Sequence, residues 1–356
     1  MASSSPGGAT MKNTCPPPLE RKVISVGGLP TEIIDMEASS SSPRLQVLVV
    51  PGNPGNAGYY RHFMKELHKN LRGHARITGV SHLGHAAGID WKGKLYHLED
   101  QIQHKVDLIT EHYTGDDKPP IAIMGHSIGT YIVTHATNRI DKTLATSAAG
   151  TAPVGGKRAV DGTDATAKPI NPSPIRKMIG LMPFMTTDWQ QPTQVKMNRL
   201  TKFHGPISYA VGALGLLPHG LKKRIVKMFE PHINDDTADL TCNLLTKNVF
   251  ENTFYMAKTE FEDLNKPAEW HLVKELGAER VAMVGTSDDA WCQPWKWEHM
   301  KEQLPPQTEL LWEEEQIHAF CAHDALSASL AVKTAALLEP LIAEDPRESK
   351  RAKGLE

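Results

Sequence analysis

The stretch "IAIMGHSIGTY", residues 121–131, limits what this chain can fold into more than any other feature. A run of strand-forming apolar residues stops at Gly125. A helical pattern follows, and Ser127 stands midway between Gly125 and Gly129. Gly-x-Ser-x-Gly between a strand and a helix is the pattern of a nucleophile elbow. On such a turn Ser127 adopts strained φ/ψ, so that its hydroxyl stands clear of the backbone. A side chain at 125 or 129 would collide with the neighbouring strand and helix. The helix N-terminus beneath the turn favours developing negative charge. The competing reading is a tight strand-to-helix turn with an inert serine.

A serine hydroxyl is a weak nucleophile and needs a base. In folds built around such an elbow the chain order is Ser, then Asp or Glu, then His. "RVAMVGTSDDAWCQPW" (280–295) offers a strand ending in a Gly-x-x-Asp loop, and "LLWEEEQIHAFCAH" (310–323) offers a further strand and then His318. The chain has 17 histidines. His318 is singled out because it follows the last strand candidate and precedes an apolar pair; His219, His299 and His323 read as ordinary surface histidines. Asp288 and Asp289 stand side by side as candidate acids. One would hold the imidazole, and the other would be solvated or cap the next helix. Two backbone N–H donors are needed for an oxyanion. Ile128, directly after the serine, is one candidate. "VVPGNPGNAGYY" (49–60) holds the other. Pro54 has no N–H, which leaves Asn53. Gly52 and Gly55 would let the backbone approach a ligand closely. No Gly-Lys-Ser/Thr follows, so a phosphate loop is excluded.

The rest of the chain is consistent with an α/β doubly wound sheet. Strand candidates are Lys22–Val26, Leu45–Val50, Ala75–Val80, Ile121–Met124, Thr143–Ala148, Arg280–Val284 and Glu309–Trp312. Several are continuous apolar runs, as strands buried on both faces require. Between them, 59–71 places Tyr60, Phe63, Met64, Leu67 and Leu71 on one helical stripe, and 95–113 repeats the pattern. The polar stretch 36–44 reads as a hairpin connection, and 150–174, rich in Gly, Ala, Thr and Pro, as an exposed loop. About 175–265 reads as a helical cap inserted between two strands, over the sheet edge where such folds bind ligands. These boundaries predict a flexible tail over 1–20, one domain over 21–340 and a charged tail over 341–356.

Composition narrows the function further. A net charge of −2 gives no electrostatic reason to bind nucleic acid. Cys15, Cys242, Cys292 and Cys321 show no metal spacing and are too sparse for a disulfide scaffold, which points to a reducing compartment. The N-terminus lacks the apolar core of a secretory signal. No stretch reaches the ~18–20 apolar residues of a membrane span.

Four pieces now line up: "PGNPG" after one strand, "SHLGH" (81–85) after the next, "GHSIGTY", and "DDAW" with "IHAF". Together they resemble the lipid droplet-associated hydrolase family, a branch of the α/β-hydrolases, over about residues 45–330. The resemblance implies an α/β-hydrolase fold with a helical cap, a Ser–Asp–His triad and residence on lipid droplets, with the endoplasmic reticulum or cytoplasm as further locations. It places the catalytic serine on Ser127 and the histidine on His318. The family's Gly-x-x-Asp precedes a tryptophan by two places, and here one extra residue intervenes. Counting from Gly285 selects Asp288; counting back from Trp291 selects Asp289. Asp289 is preferred because Trp291 is expected to anchor the loop by packing.

The segment 206–218 is apolar and bounded by prolines, and the basic stretch "HGLKKRIVK" (219–227) follows it. Apolar then basic suits an anchor in a lipid monolayer; a cap helix packed on the core suits it equally. "MIGLMPFM" (178–185) adds methionine-rich surface suited to acyl chains. The reading that emerges is a serine esterase or lipase acting on lipid esters, sterol esters included, without metal or organic cofactor. Its competitors are a droplet-binding scaffold with a hydrolase fold and little turnover, and a thioesterase or peptidase.

Overall fold

The computed structural model describes residues 16–150 and 173–343. The expectations for the two terminal tails and for the loop at 150–174 fall almost wholly outside the described residues. Strands β1 (Glu20–Val26), β2 (Leu29–Met36), β3 (Leu45–Val50), β4 (Ala75–Val80), β5 (Ile121–His126), β6 (Ile175–Leu181), β7 (Val281–Gly285) and β8 (Glu309–Trp312) form one sheet. Their order is β1-β2-β4-β3-β5-β6-β7-β8. β2 runs antiparallel to both its neighbours, and the remaining pairs are parallel.

Helices α1 (Arg61–Asn70), α2 (Leu98–Leu108) and α3 (Ile128–Gly150) follow β3, β4 and β5. After β6 come α4 (Pro192–Thr201), α5 (His204–Gly215), α6 (His219–Phe229), α7 (Asp235–Leu244) and α8 (Lys247–Asp263). A short α9 (Trp270–Glu275) leads into β7, α10 (Pro294–Gln303) into β8, and α11 (Asp324–Ala343) closes the domain. β3 shows why the sheet is sandwiched. Leu48 and Val50 pack with Ile102 of α2 and Ile132 of α3, whereas Val47 and Val49 pack with Phe63 of α1 and Leu330 of α11. Alternate residues of a strand face opposite sides, so an all-apolar strand needs helices on both.

Four sequence expectations are corrected. The hairpin is at Gly27–Gly28, both with positive φ (54° and 76°), which suits a tight two-residue turn. Residues 36–44 instead carry the chain from β2 to β3, with β4 between them. Thr143–Ala148 is not a strand but lies within α3. There Thr143 and Thr146 donate their hydroxyls to the Arg139 and Lys142 carbonyls one turn back, a local partner that an isolated β-branched residue does not advertise. Ile175–Leu181, read as the start of the cap, is β6, paired on both edges by β5 and β7. Long-range pairing overrides local pattern there, and the cap begins at α4. Finally, α11 is long and apolar enough to cross a membrane, with a mean hydropathy of 1.4. In this fold it lies along α1 and buries Leu330, Ala331, Ala335 and Leu338.

Candidate active site

β5 delivers Ser127 on a backbone with φ 54°, the left-handed region that costs a non-glycine residue about 1–3 kcal/mol. The turn is held from outside. Ser127 N–H donates to the Leu181 carbonyl (2.9 Å), and its carbonyl accepts from the Thr130 and Phe184 amides (3.0 and 3.2 Å). The flanking glycines are required by close backbone approach. A Cβ on Gly125 would lie 2.2 Å from the Gly129 carbonyl oxygen, and one on Gly129 2.5 Å from that of Pro51.

The loop after β8 brings His318 to this turn. His318 Nε2 lies 3.0 Å from Ser127 Oγ. Its Nδ1 lies 2.8 Å from Asp289 Oδ1, an ion-pair distance. The ring N–H is not aligned on that oxygen, so neither Nδ1 nor the buried Asp289 Oδ2 completes a hydrogen bond. Such contacts in unliganded sites commonly tighten when substrate binds. Asp289 Oδ1 also accepts the Trp291 and Cys292 amides (2.7 and 3.0 Å), which orient the carboxylate. Asp288 is exposed and meets His318 only through its carbonyl, which accepts the His318 amide at 3.1 Å. The Trp291 ring packs against Phe184 and Phe261, with centroids 5.0 and 6.1 Å away, and stands 6.2 Å from the His318 ring.

The loop after β3 passes directly against the serine. A Cβ on Gly52 would sit 2.8 Å from Ser127 Cβ, and one on Gly55 would strike the His82 ring at 2.2 Å. These glycines therefore make room for neighbouring side chains, where the sequence had suggested room for a ligand. Asn53 enters the same loop, its side chain held by α8. Ile128 opens α3. Among the described residues, no protein acceptor takes the backbone N–H of either one.

Beneath the site runs a buried chain of hydrogen bonds. Gly52 N–H donates to the Tyr60 hydroxyl (3.0 Å), which lies 2.6 Å from His126 Nδ1; His126 Nε2 lies 2.9 Å from the His318 carbonyl oxygen. A carbonyl only accepts, so Nε2 carries the proton and Nδ1 accepts from Tyr60. Burial, reinforced by the neighbouring His318, holds the His126 imidazole well below the usual histidine range, in keeping with this neutral tautomer. Burial likewise raises the Tyr60 phenol well above its ordinary value, which keeps it a donor.

No group of three or more metal-ligating side chains occurs among the described residues. A cleft of about 1660 Å³ between α1 and the start of α7, lined in part by Arg61, Lys65, Asp235 and Asp239, touches none of Ser127, Asp289 and His318.

A sequence profile described as "Lipid-droplet associated hydrolase" matches residues 43–321. The chain belongs to the lipid-droplet associated hydrolase family. It is 24% identical to the lipid droplet-associated hydrolase of Gallus gallus, over 86% of this chain and 91% of that protein. It is 25% identical to the Dictyostelium discoideum protein of that name (85% and 90% covered) and 22% identical to the human one (86% and 91%). Solved structures with the same fold include a haloalkane dehalogenase loop variant from Bradyrhizobium elkanii, with a TM-score of 0.59, 12% identity and 91% and 98% of the two chains covered. A thermophilic esterase from Thermogutta terrifontis aligns with a TM-score of 0.56, 14% identity and 91% and 100% covered. At that identity the likeness speaks to fold alone, the α/β-hydrolase fold.

In this lipid-droplet associated hydrolase family member, three residues around the site escaped the sequence reading. His126 was visible only as the variable position of the elbow. Tyr60 was visible only as one residue of a helical stripe. Glu260, in the last turn of α8, carried no signal at all.

Proposed function

We propose that this chain is a serine carboxylic ester hydrolase acting on lipid esters, sterol esters among them, at the lipid droplet surface. One observation carries the reading: His318 Nε2 within 3.0 Å of Ser127 Oγ, with Asp289 at the other ring nitrogen. In the proposed reaction Ser127 Oγ attacks the ester carbonyl while His318 Nε2 takes its proton. Asp289 orients the imidazole and stabilises its cation. The Asn53 and Ile128 amides receive the oxyanion. The tetrahedral intermediate collapses, His318 returns the proton to the leaving alcohol, and water then releases the acyl group by the same route in reverse.

Support for a lipid surface comes from the relatives' names and from the cap. α6 buries no side chain, and Phe203, Tyr209, Leu216, Met228 and Phe229 around α5 and α6 are exposed. Large apolar side chains left exposed along one stretch of the chain suit an interaction surface. The basic stretch contributes less than its sequence suggests. Lys223 pairs with Asp235 and Asp239, Lys227 pairs with Asp235, and Lys222 donates to the Gly215 and Cys242 carbonyls. Docking by this face therefore rests mainly on apolar burial.

A fluorophosphonate probe tests the reaction. Labelling that disappears in Ser127→Ala supports an activated serine, and a folded wild-type protein that resists the probe overturns it. The second reading, a droplet-binding protein with little turnover, is favoured by the burial of Ser127, which is only 7% exposed. It predicts droplet binding without labelling.

A further inference from the structure

We propose that Glu260 of α8 is a positioning residue that holds Asn53, and so couples the seating of the cap to the order of the loop beside Ser127. This rests on the serine hydrolase reading and adds a part to it. Asn53 Nδ2 donates to Glu260 Oε1 (2.9 Å) and to the Thr253 carbonyl (3.0 Å), both on α8. Asn53 Oδ1 is buried and takes no hydrogen bond. The amide is thus held through its nitrogen alone, and every hold on it comes from the cap. The neighbouring residue, Gly52, is fixed independently from the sheet side by Tyr60. The loop that carries a proposed oxyanion donor is therefore clamped between body and cap. If α8 lifts to admit a lipid, the Asn53 clamp opens; when α8 reseats, it closes.

The chemistry of a carboxyl at this position gives the idea a readout. A carboxylate held on the side chain of a proposed oxyanion donor would oppose the developing charge, whereas a neutral acid would not. Burial pushes the Glu260 carboxyl up to about 8, opposed only by the Asn53 hydrogen bond. Beyond these two influences no charged side chain acts on it. That includes His104 and Lys105 of α2, Lys196 and Arg199 of α4 and His204 of α5, the helices packed against α8, and His82, His126 and His318 around the site. Glu260 is therefore neutral at pH 7 and becomes charged above about pH 8.

The test is the rate of fluorophosphonate labelling and of soluble-ester hydrolysis from pH 6 to 10, on the full chain. Wild type should lose activity above about pH 8, approaching tenfold per pH unit. Glu260→Gln keeps an acceptor for Asn53 and has no proton to lose, so its rate should hold where that of wild type falls. Glu260→Ala should lower kcat by roughly tenfold or more with little change in KM, and Gln should restore most of that loss at pH 7. An alkaline fall in Glu260→Gln identical to that of wild type overturns the inference, as does wild-type kcat in Glu260→Ala. Should Glu260→Ala fail to fold, the Gln profile decides alone. If wild type is never labelled at any pH, the serine hydrolase reading fails and this inference fails with it. Labelling without the predicted pH difference removes this inference alone.

Discussion

His126 Nε2 donates to the backbone carbonyl of His318 across 2.9 Å, so the residue before Ser127 grips the main chain of the histidine that faces it. The elbow and the histidine loop are 192 residues apart in sequence at this contact. The bond joins them without using the side chain of Ser127 or of His318. Tyr60 extends the grip to the loop after β3 through Gly52.

Tyr60→Phe tests that chain. It leaves His126 Nδ1 and the Gly52 amide unpaired in a buried site, at a cost of about 1–3 kcal/mol. A lower thermal midpoint and slower labelling of Ser127 are expected together. A variant with wild-type stability and labelling rate would show that the bonds carry no weight.

The two adjacent aspartates should behave differently. Asp289 lies at the imidazole with the Trp291 and Cys292 amides on its oxygen, whereas Asp288 faces solvent. Asp289→Asn should reduce ester turnover by roughly 10³–10⁴-fold through loss of the oriented tautomer. Asp288→Asn retains the backbone carbonyl that holds His318 and should stay within a few fold of wild type. Equal losses in the two variants would contradict the assignment.

Lys105 offers a test in stability. It is fully buried on α2, with its Nζ 2.9 Å from His104 Nδ1, and burial pushes its amine from 10.5 down to about 7. Between those values the unfolded chain binds a proton that the folded chain does not. Stability therefore rises with pH from about 7 toward 10.5, and the full penalty of the buried charge is present below about 7. Lys105→Met removes that penalty but leaves His104 Nδ1 without its partner, while Nε2 keeps the Thr31 hydroxyl. Thermal melts should show the variant gaining most on wild type below pH 7, with the gap narrowing as pH rises to 10. A gap independent of pH would rule out the buried charge as its cause.

The apolar face of α5 and α6 should bind lipid. Leu216 and Phe229 are 88% and 78% exposed. Leu216→Asp combined with Phe229→Asp should cut binding to phospholipid-coated oil droplets by at least roughly tenfold, since each substitution removes about 1.5–3 kcal/mol of side-chain burial. Melting temperature and labelling in solution should change little. Undiminished droplet binding by the double variant would place the docking surface elsewhere.

Features with local causes are readable from the order of residues alone. The elbow is legible because backbone carbonyls crowd Gly125 and Gly129, and the steric demand leaves glycine at fixed spacing from Ser127. β3, β5 and β7 are legible because strands buried on both faces are written as near-continuous apolar runs. The remaining features follow from how the folded elements dock. β6 is a strand because β5 and β7 pair with it, although its residues read as helix. Asp289 rather than Asp288 meets His318, because adjacent residues point in different directions and the fold of the loop selects one. Tyr60, His126 and Glu260 reach the site through partners 66, 192 and 207 residues away, as the bonds Tyr60–His126, His126–His318 and Asn53–Glu260 show. Hydrogen bonds over such separations depend on where helices and loops dock, and one-dimensional spacing carries no record of that.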